Sequence, residues 1–188
     1  MNTLNIRRTN KMTNTLQLKL LSDNATKPKR ADDLSAGYDI YAAETVILEP
    51  QEKALIATDL AVNIPKGYVG LLTSRSGVSS KTRLVVETGK IDAGFQGHMK
   101  INIKNDTQNS NNYDVLSEVY SAFNINGEEI ELNDEEVLVP YGTYKIQKGD
   151  RLAQLVIVPI WTPDLEAVKE FSNETARGQN GFGSSGTR

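Results

Sequence analysis

The sequence predicts an all-β protein of the sandwich or barrel type, and three observations support this prediction. Short strand-like runs recur along the chain, proline and glycine residues separate them, and helical spacing is scarce. The runs are TVILEP, KALIATDLAVNI, GYVGLLT, RLVVETGKI, HMKINIKN and RLAQLVIVPIW. Short strands at this spacing are typical of small β-sandwiches and barrels.

The main domain is expected to span residues 12–170, after a leader at residues 1–11 that is polar, basic and without periodicity. Its first strand is predicted by three leucines that alternate with polar residues and so share one dry face. These leucines are Leu16, Leu18 and Leu20.

Residues 106–139 differ from the rest of the domain because they carry many acidic side chains and no lysine or arginine. We expect this acidic insertion to form a small β-hairpin, since VLSEVYSAF and EEIEL flank Asn126-Gly127, a pair that favours the positive φ angles of a tight turn. Such an insertion is either a partner-binding surface or a solvated decoration, and acidic runs are usually solvated.

The C-terminal region, residues 171–188, ends in RGQNGFGSSGTR, which is too rich in glycine and serine to stay ordered alone. Its arginine, its serines and the single aromatic ring of Phe182 could close on a ligand that has both a phosphate and a flat base. We therefore predict a flexible arm that becomes ordered on a ligand. A floppy terminus is the alternative.

The composition excludes several classes of protein. The chain has 188 residues, no cysteine and one histidine, His98, so disulfides, thiolate metal sites and histidine-rich metal clusters are excluded. Its net charge of −3 lacks the basic bias of proteins that grip a nucleic-acid backbone. No apolar run approaches the roughly 20 residues that span a bilayer, and no signal peptide is recognisable. We expect a cytoplasmic protein without stable nucleic-acid binding and without membrane binding.

Two sets of residues are candidates for chemistry. Residues 73–77, Thr-Ser-Arg-Ser-Gly, follow an apolar strand and offer a guanidinium, hydroxyls and backbone N–H groups, which suit an anion site; an ordinary polar turn is the alternative. Asp39 and Asp92 are solitary acids in apolar runs and are candidates for a general base and a metal partner. The alternative for each acid is a surface position or a structural salt bridge. His98 is interpreted as a surface or packing residue.

Taken in order, five segments resemble the motifs of the trimeric dUTPase family, whose members hydrolyse dUTP to dUMP and pyrophosphate. The segments are AGYDIYAAE from Ala36, SRSGVSSK from Ser74, GKIDAGFQG from Gly89, GDRLAQLVIVP from Gly149 and RGQNGFGSSG from Arg177. One such motif alone is weak, whereas five in order are specific. The resemblance implies a distorted jelly-roll barrel of the β-clip type, a homotrimer, and an activity that limits uracil incorporation into DNA and supplies dUMP.

The resemblance also implies roles for the two acids. Asp92 matches the catalytic carboxylate that orients and deprotonates the water attacking the α-phosphorus. Asp39 matches the acid that holds waters on a Mg²⁺ ion bound to the triphosphate. Mg²⁺ suits this arrangement because it keeps much of its hydration and takes phosphate oxygens as ligands.

The other matched residues contact the substrate. The residues that match phosphate contacts are Arg75, Ser76, Gly77 and Gln154. Those that match contacts to uracil and deoxyribose are Lys90, Ile91, Phe95 and Lys100. Those that belong to the closing arm are Arg177, Phe182, Gly183 and Ser184. The resemblance implies that a neighbouring subunit contributes the phosphate-binding turn. It also implies that a hairpin holds uracil largely through backbone hydrogen bonds, with Phe182 stacked on the base.

The chain departs from the family pattern at several positions. Phe95 stands where tyrosine is usual and Gly94 where an acid is common, so stacking is kept and a phenolic hydrogen bond is lost. Ser74 replaces a frequent proline, and Asn180 replaces a frequent glycine. The insertion at residues 106–139 resembles the extra region of bacteriophage dUTPases that also bind a repressor protein of a mobile genetic element. That resemblance makes the insertion a candidate repressor-binding surface and places the protein in a host cytoplasm.

Two other hypotheses remain at the level of sequence. A regulatory binding protein could use the nucleotide site mainly as a switch, and dCTP deaminase is a relative that shares the fold. Deamination requires activated water beside the pyrimidine ring, whereas the motif around Asp92 matches attack at the α-phosphate. Release of ammonia from dCTP, or of pyrophosphate from dUTP, distinguishes these activities.

Overall fold

The fold is built almost entirely from short strands. The computed structural model describes residues 15–108, 118–119, 121–132, 138–176 and 178–179. In chain order the strands are β1 Gln17–Leu20, β2 Tyr38–Tyr41, β3 Val46–Leu48, β4 Lys53–Asn63, β5 Tyr68–Ser74, β6 Leu84–Val86, β7 Gly89–Ile91, β8 Met99–Asn105, β9 Glu118–Val119, β10 Ser121–Phe123, β11 Glu129–Glu131, β12 Val139–Pro140, β13 Tyr144–Ile146 and β14 Arg151–Pro159. One helix, α1 Ser76–Lys81, follows β5. The predicted all-β class is confirmed.

Three four-stranded sheets and one two-stranded sheet organise these strands. Their strand orders are β1-β4-β8-β6, β2-β14-β5-β7, β11-β10-β13-β3 and β12-β9. The longest pairings are antiparallel, between β4 and β8 and between β14 and β5. Each predicted strand-like run contains at least one of these strands.

The run RLVVETGKI is predicted to be strand-like, and the structure divides it. It forms two strands in different sheets, because β6 pairs with β8 whereas β7 pairs with β5. The chain therefore changes sheets between Val86 and Gly89. Switching between packed sheets is how a β-sandwich makes its corners.

A large hydrophobic core forms the centre of the domain, and a second, small cluster of Ala122, Leu132 and Val139 lies at the insertion. Strand β8 shows how the large core is built, since Met99, Ile101 and Ile103 are buried and alternate with more exposed residues. In β1 the predicted dry face is partial. Leu16 and Leu18 pack against the core, whereas Leu20 is 53% exposed.

The inserted hairpin is confirmed, and it is part of a larger sheet. Strands β10 and β11 pair antiparallel, and Gly127 has a φ of 75°. Asn126 does not share this positive φ, so the loop resembles a three-residue hairpin turn that ends in a left-handed glycine. Strand β10 also pairs in parallel with β13, where Phe123 lies opposite Tyr144. The hairpin is thereby fixed to the main domain.

Beyond β14, residues 160–176 contain no strand or helix. They carry large exposed apolar side chains, including Trp161, Leu165 and Phe171 at 87%, 96% and 89% exposure. The domain boundaries at residues 11, 106, 139 and 170 stay predictions. The only helix of the described ranges has six residues and is too short to cross a membrane.

Candidate functional site

A buried carboxylate and two arginines form a polar group at the end of β2 and β5. Asp39 lies in β2 and is 6% exposed. Its Oδ1 accepts a hydrogen bond from Nε of Arg75 at 2.8 Å, and its Oδ2 lies 3.5 Å from a terminal guanidinium nitrogen of Arg151. Since a buried carboxylate is costly unless it is paired, this group, called here the arginine cluster, is a structural requirement of β2.

Gln154 lies beside the arginine cluster. In the register of the sheet, Gln154 of β14 is opposite both Asp39 of β2 and Thr73 of β5. Residues directly opposite each other in antiparallel strands project from the same face. The face that carries Asp39 therefore carries an amide and a hydroxyl as well, and these two groups can donate hydrogen bonds to phosphate oxygens.

The predicted phosphate turn is the start of a helix. Arg75 is extended, with φ −84° and ψ 139°, and its carbonyl accepts hydrogen bonds from the N–H groups of Val78 and Ser79. Ser76 and Gly77 form the first turn of α1, and Val78 is buried beneath it. The anion site expected for this segment stays a prediction, and the buried valine gives the short helix an apolar side to pack.

The second group is the Asp92 loop, residues 92–98, between β7 and β8. Asp92 is exposed and lies just beyond β7. From the sequence, Asp92 is predicted to lie within a largely apolar strand. This prediction is wrong, because β7 ends at Ile91. The N–H of Phe95 donates to the Asp92 carbonyl at 3.1 Å, which turns the chain outward. An exposed carboxylate in a turn is accessible to solvent water, as a general base requires.

Phe95 lies over the backbone of its own loop. It is 45% exposed, and a Cβ added at Gly97 would come within 2.8 Å of the Phe95 ring. The absence of a side chain at Gly97 thus makes room for the ring, which stays close to half exposed. A half-exposed aromatic face of this kind suits stacking against a sugar or a base.

Three further predicted residues surround the Asp92 loop. Lys90 and Lys100 are exposed on β7 and β8, whereas the side chain of Ile91 is buried in the core. The backbone of Ile91 is therefore the part of this residue that is available to a ligand. The predicted hairpin geometry is wrong in one respect, because β7 and β8 belong to different sheets. The loop connects two sheets.

Sequence reasoning missed Arg151 and Asp59. Arg151 becomes a partner of Asp39 only through the pairing of β14 with β2, which includes a register shift between Arg151 and Ala153. At a second irregularity, in β4, Asp59 has a φ of 52° and its N–H donates to Nε2 of His98 at 2.9 Å. His98, interpreted from sequence as surface or packing, thus ties the end of the Asp92 loop to β4.

The arginine cluster and the Asp92 loop are far apart within one chain. Ile91, the residue before Asp92, pairs with Gly70 of β5, and Arg75 lies five residues further along the chain. At about 3.3 Å per residue this separates the two groups by roughly 16 Å. Two surface clefts of the described structure, lined around Arg83 and around Gln96, include neither Asp39 nor Asp92.

The predicted arm lies mostly outside the described residues. This applies to Arg177, Phe182, Gly183 and Ser184. Within the described ranges, no group of three or more histidine or acidic residues is placed to hold a metal ion. A cation at Asp39 would therefore take its ligands mainly from a substrate and from water. Each Asp39 oxygen has acceptor capacity beyond its one arginine contact, so this donor set fits Mg²⁺ held through water.

Comparisons with known proteins identify the family. The dUTPase family model matches residues 23–116 and 141–186, with an interruption in the insertion. The deoxyuridine 5′-triphosphate nucleotidohydrolase of Debaryomyces hansenii is 34% identical over 185 residues, covering 98% of this chain and 95% of that protein.

Solved structures of bacteriophage proteins are more similar still. The dUTPase of Staphylococcus bacteriophage 80alpha with dUpNHpp is 60% identical with a TM-score of 0.85, and the match covers 93% of this chain and 99% of that one. The dUTPase of phage phi11 of S. aureus, described as having a species-specific insert, is 60% identical with a TM-score of 0.78, covering 86% and 100%. On this evidence the chain belongs to the dUTPase family.

Proposed function

We propose that this protein hydrolyses dUTP to dUMP and pyrophosphate, which limits uracil incorporation into DNA and supplies dUMP for dTMP synthesis. Membership of the dUTPase family supports this activity. The structural observation that carries the proposal is the arginine cluster, in which the buried Asp39 holds Arg75 beside Gln154. This face is pre-organised for a polyphosphate before any ligand arrives.

In the proposed reaction, Arg75, Arg151 and Gln154 orient the phosphates, and Asp92 accepts a proton from water. The water oxygen forms a bond to the α-phosphorus while the bond from that phosphorus to the bridging oxygen of the β-phosphate breaks. Pyrophosphate leaves, and dUMP remains. The guanidinium groups stabilise the negative charge that develops on the phosphate oxygens, which is the larger part of catalysis in most sites of this kind.

The proposed site includes Mg²⁺. Asp39 would hold it through water, and the ion would neutralise phosphate charge and polarise the α-phosphoryl group when bound. A structure of phage phi11 dUTPase is described as showing the coordination of a structural Mg(II) ion, which supports metal binding in related proteins. In this chain Asp39 also fixes Arg75, so the same carboxylate orders both positive partners of the triphosphate.

We further propose that the active unit is a homotrimer with sites shared between chains. The separation of Asp92 from Arg75 along β5 supports sharing, because the base and the phosphate-binding arginine of one chain stand at opposite ends of that strand. Residues 177 and 182–184 complete the site as a closing arm in this proposal. Closure would exclude water and strengthen the electrostatic contacts.

A pyrophosphate-release assay with dUTP, dTTP, UTP and dCTP in the presence of Mg²⁺ tests the proposal. We expect turnover of dUTP, poor turnover of dTTP and UTP, and no ammonia from dCTP. Ammonia release from dCTP would identify a deaminase and overturn the assignment. Sedimentation at assay concentration tests the trimer, and a monomer that retains full activity would contradict the shared site.

We also propose a second role, the binding of a repressor protein of a mobile genetic element through residues 106–139. The 60% identity to the dUTPase of phage 80alpha supports it, since phage dUTPases are described as controlling the transfer of virulence genes by a G protein-like mechanism. Such a protein would act in the cytoplasm of the phage host. By linkage, a repressor that binds less tightly in the presence of dUpNHpp must weaken dUpNHpp binding by the same factor.

Substitution on the exposed face of the inserted hairpin tests this second role. Glu131 is exposed on β11, and Glu166 is an exposed acid outside the insertion. We expect Glu131→Lys to weaken repressor affinity while dUTP hydrolysis is unchanged, and Glu166→Lys to change neither. Equal repressor affinity in all three proteins would exclude this face of the insertion as the contact.

A further inference from the structure

The tip of the inserted hairpin rests on the end of helix α1. Gly127 is at this contact, with a φ of 75°. A Cβ added to Gly127 would lie far inside van der Waals distance of the Lys81 carbonyl oxygen and 3.3 Å from the carbonyl carbon. Two constraints therefore favour glycine, its backbone angle and the closeness of the helix end.

The tip is anchored by hydrogen bonds within its loop and by packing against the core. The side-chain Oδ1 of Asn124 accepts hydrogen bonds from the N–H groups of Asn126 and Glu128, at 2.8 and 3.1 Å. Phe123 and Ile125 pack against the main hydrophobic core. The tip is thus held from inside its own loop and from the core below.

A second contact ties the same region to the insertion. The Tyr144 hydroxyl accepts a hydrogen bond from the backbone N–H of Arg83 at 2.9 Å, just after α1 ends. Tyr144 is buried and lies opposite Phe123 of the hairpin in the parallel pairing. The C-terminal end of α1 therefore meets the insertion at Gly127 and its supporting strand at Tyr144.

Helix α1 is too short to hold its own position. Six residues are far fewer than the roughly 12 that an isolated helix needs, so packing decides where α1 lies. Its N-terminal end is continuous with Arg75, whose guanidinium pairs with Asp39. Displacement of one end of so short a helix moves the other end.

We propose that the inserted hairpin is a positioning element for the phosphate-binding Arg75, and that Gly127 is the residue through which it acts. This inference rests on the proposed function, because it assigns Arg75 to the triphosphate. It gives the insertion a role inside the enzyme, separate from any surface that it offers to a partner. It also makes the hairpin and the nucleotide thermodynamically linked, since a change at one alters the other through α1.

The test compares Gly127→Ala with Gly67→Ala. Gly67 is a matched control, because its φ is 88° and nothing lies within 4 Å of an added Cβ. Both substitutions carry the cost of a left-handed alanine, and only the first displaces the end of α1. We expect Gly127→Ala to raise the KM for dUTP and the Kd for dUpNHpp at least about fivefold, equivalent to about 1 kcal/mol. Deoxyuridine, which has no phosphate, should bind as in the unsubstituted protein.

We expect Gly67→Ala to lower the Tm and to leave KM and both dissociation constants within twofold. Equal values of KM and Kd in the two variants would overturn the inference, as would a loss of deoxyuridine affinity equal to that of dUpNHpp. Tyr144→Phe provides a second route if Gly127→Ala does not fold, and it should weaken dUpNHpp binding in the same direction by a smaller factor. An unchanged Kd for Tyr144→Phe would then count against the inference. Failure of the proposed function is distinguishable, because the unsubstituted protein would then release no pyrophosphate.

Discussion

The arginine cluster and the Asp92 loop differ in the burial and the pairing of their polar groups. In the cluster, the buried Asp39 and its two arginines satisfy one another, and Gln154 lies in register beside them. In the loop, Asp92 and Phe95 are exposed, and their positions depend on turn geometry and on contacts at the loop ends. One group is completed within the chain, and the other presents its groups to solvent.

This difference indicates how the proposed reaction divides its requirements. Charge stabilisation needs dipoles and cations that are fixed in advance, because reorganising them during the reaction costs free energy. A general base needs access to water and a substrate bound beside it. The cluster satisfies the first requirement through buried ion pairs, and the exposed loop satisfies the second. Substitutions in the two groups should therefore have different signatures.

The largest effect is expected for Asp92→Asn. The amide cannot accept the proton from water, so kcat should fall by about 10² to 10⁴. The folded structure and the affinity for dUpNHpp should be preserved, because Asp92 is exposed and lies outside the core. Single-turnover rates and calorimetric titration with dUpNHpp measure the two quantities. Turnover at the original rate would show that another group is the base.

An intermediate effect is expected for Asp39→Asn, which should act on stability as well as on substrate binding. The amide leaves Arg75 and Arg151 without their carboxylate, so the free energy of unfolding should fall by about 1–3 kcal/mol, less than for a fully buried pair because Arg151 is half exposed. Denaturant unfolding at fixed protein concentration measures this change.

The control for Asp39→Asn is Glu87→Gln, which breaks the exposed pair between Glu87 and Lys53. We expect this substitution to cost less than about 1 kcal/mol. Equal destabilisation by the two substitutions would show that burial of Asp39 does not strengthen its ion pairs. The proposed difference between the arginine cluster and the exposed Asp92 loop would then be wrong.

The smallest effect is expected for Phe95→Tyr. The ring is half exposed, so a hydroxyl can be added without overpacking, and stability should be unchanged. A hydrogen bond that favours the deoxyribose would raise the ratio of kcat/KM for dUTP over UTP by under about tenfold, as one neutral hydrogen bond allows. The ratio for dUTP over dTTP is the internal control and should not change, because it reports on the base. If only the ratio for dUTP over dTTP changed, the assignment of Phe95 to the sugar contact would be wrong.

The predictable part of the fold follows from local patterns. Alternation in HMKINIKN is sufficient for β8, because side chains of a strand point to opposite faces and only one face is buried. Asn126-Gly127 is sufficient for a hairpin, because its glycine accepts the left-handed backbone angle at which the turn ends. The switch of sheets within RLVVETGKI could not be predicted in this way. Both halves have strand propensity, and the partner of each half is distant in sequence.

The candidate site shows the same limit. Five ordered motifs name its residues, whereas the contact of Asp39 with Arg151 depends on the pairing of β14 with β2, whose register shift has no local signature. The contact of Gly127 with Lys81 could not be predicted from the sequence either. The turn alone is a sufficient reason for a glycine after asparagine, so the sequence gives no sign of a second constraint.

The sequence by itself determined the all-β class, the membership of the dUTPase family and the hairpin, and it predicts Asp39 and Asp92 as the acids of the site. Those features depend on side-chain periodicity, turn chemistry and residue type, which are all properties of short segments. The tertiary structure alone decided that Asp39 is buried against two arginines, that Asp92 is exposed, and that the inserted hairpin touches the helix after Arg75. Such features depend on which distant strands pair and in what register, and that choice is made by the packing of the whole core.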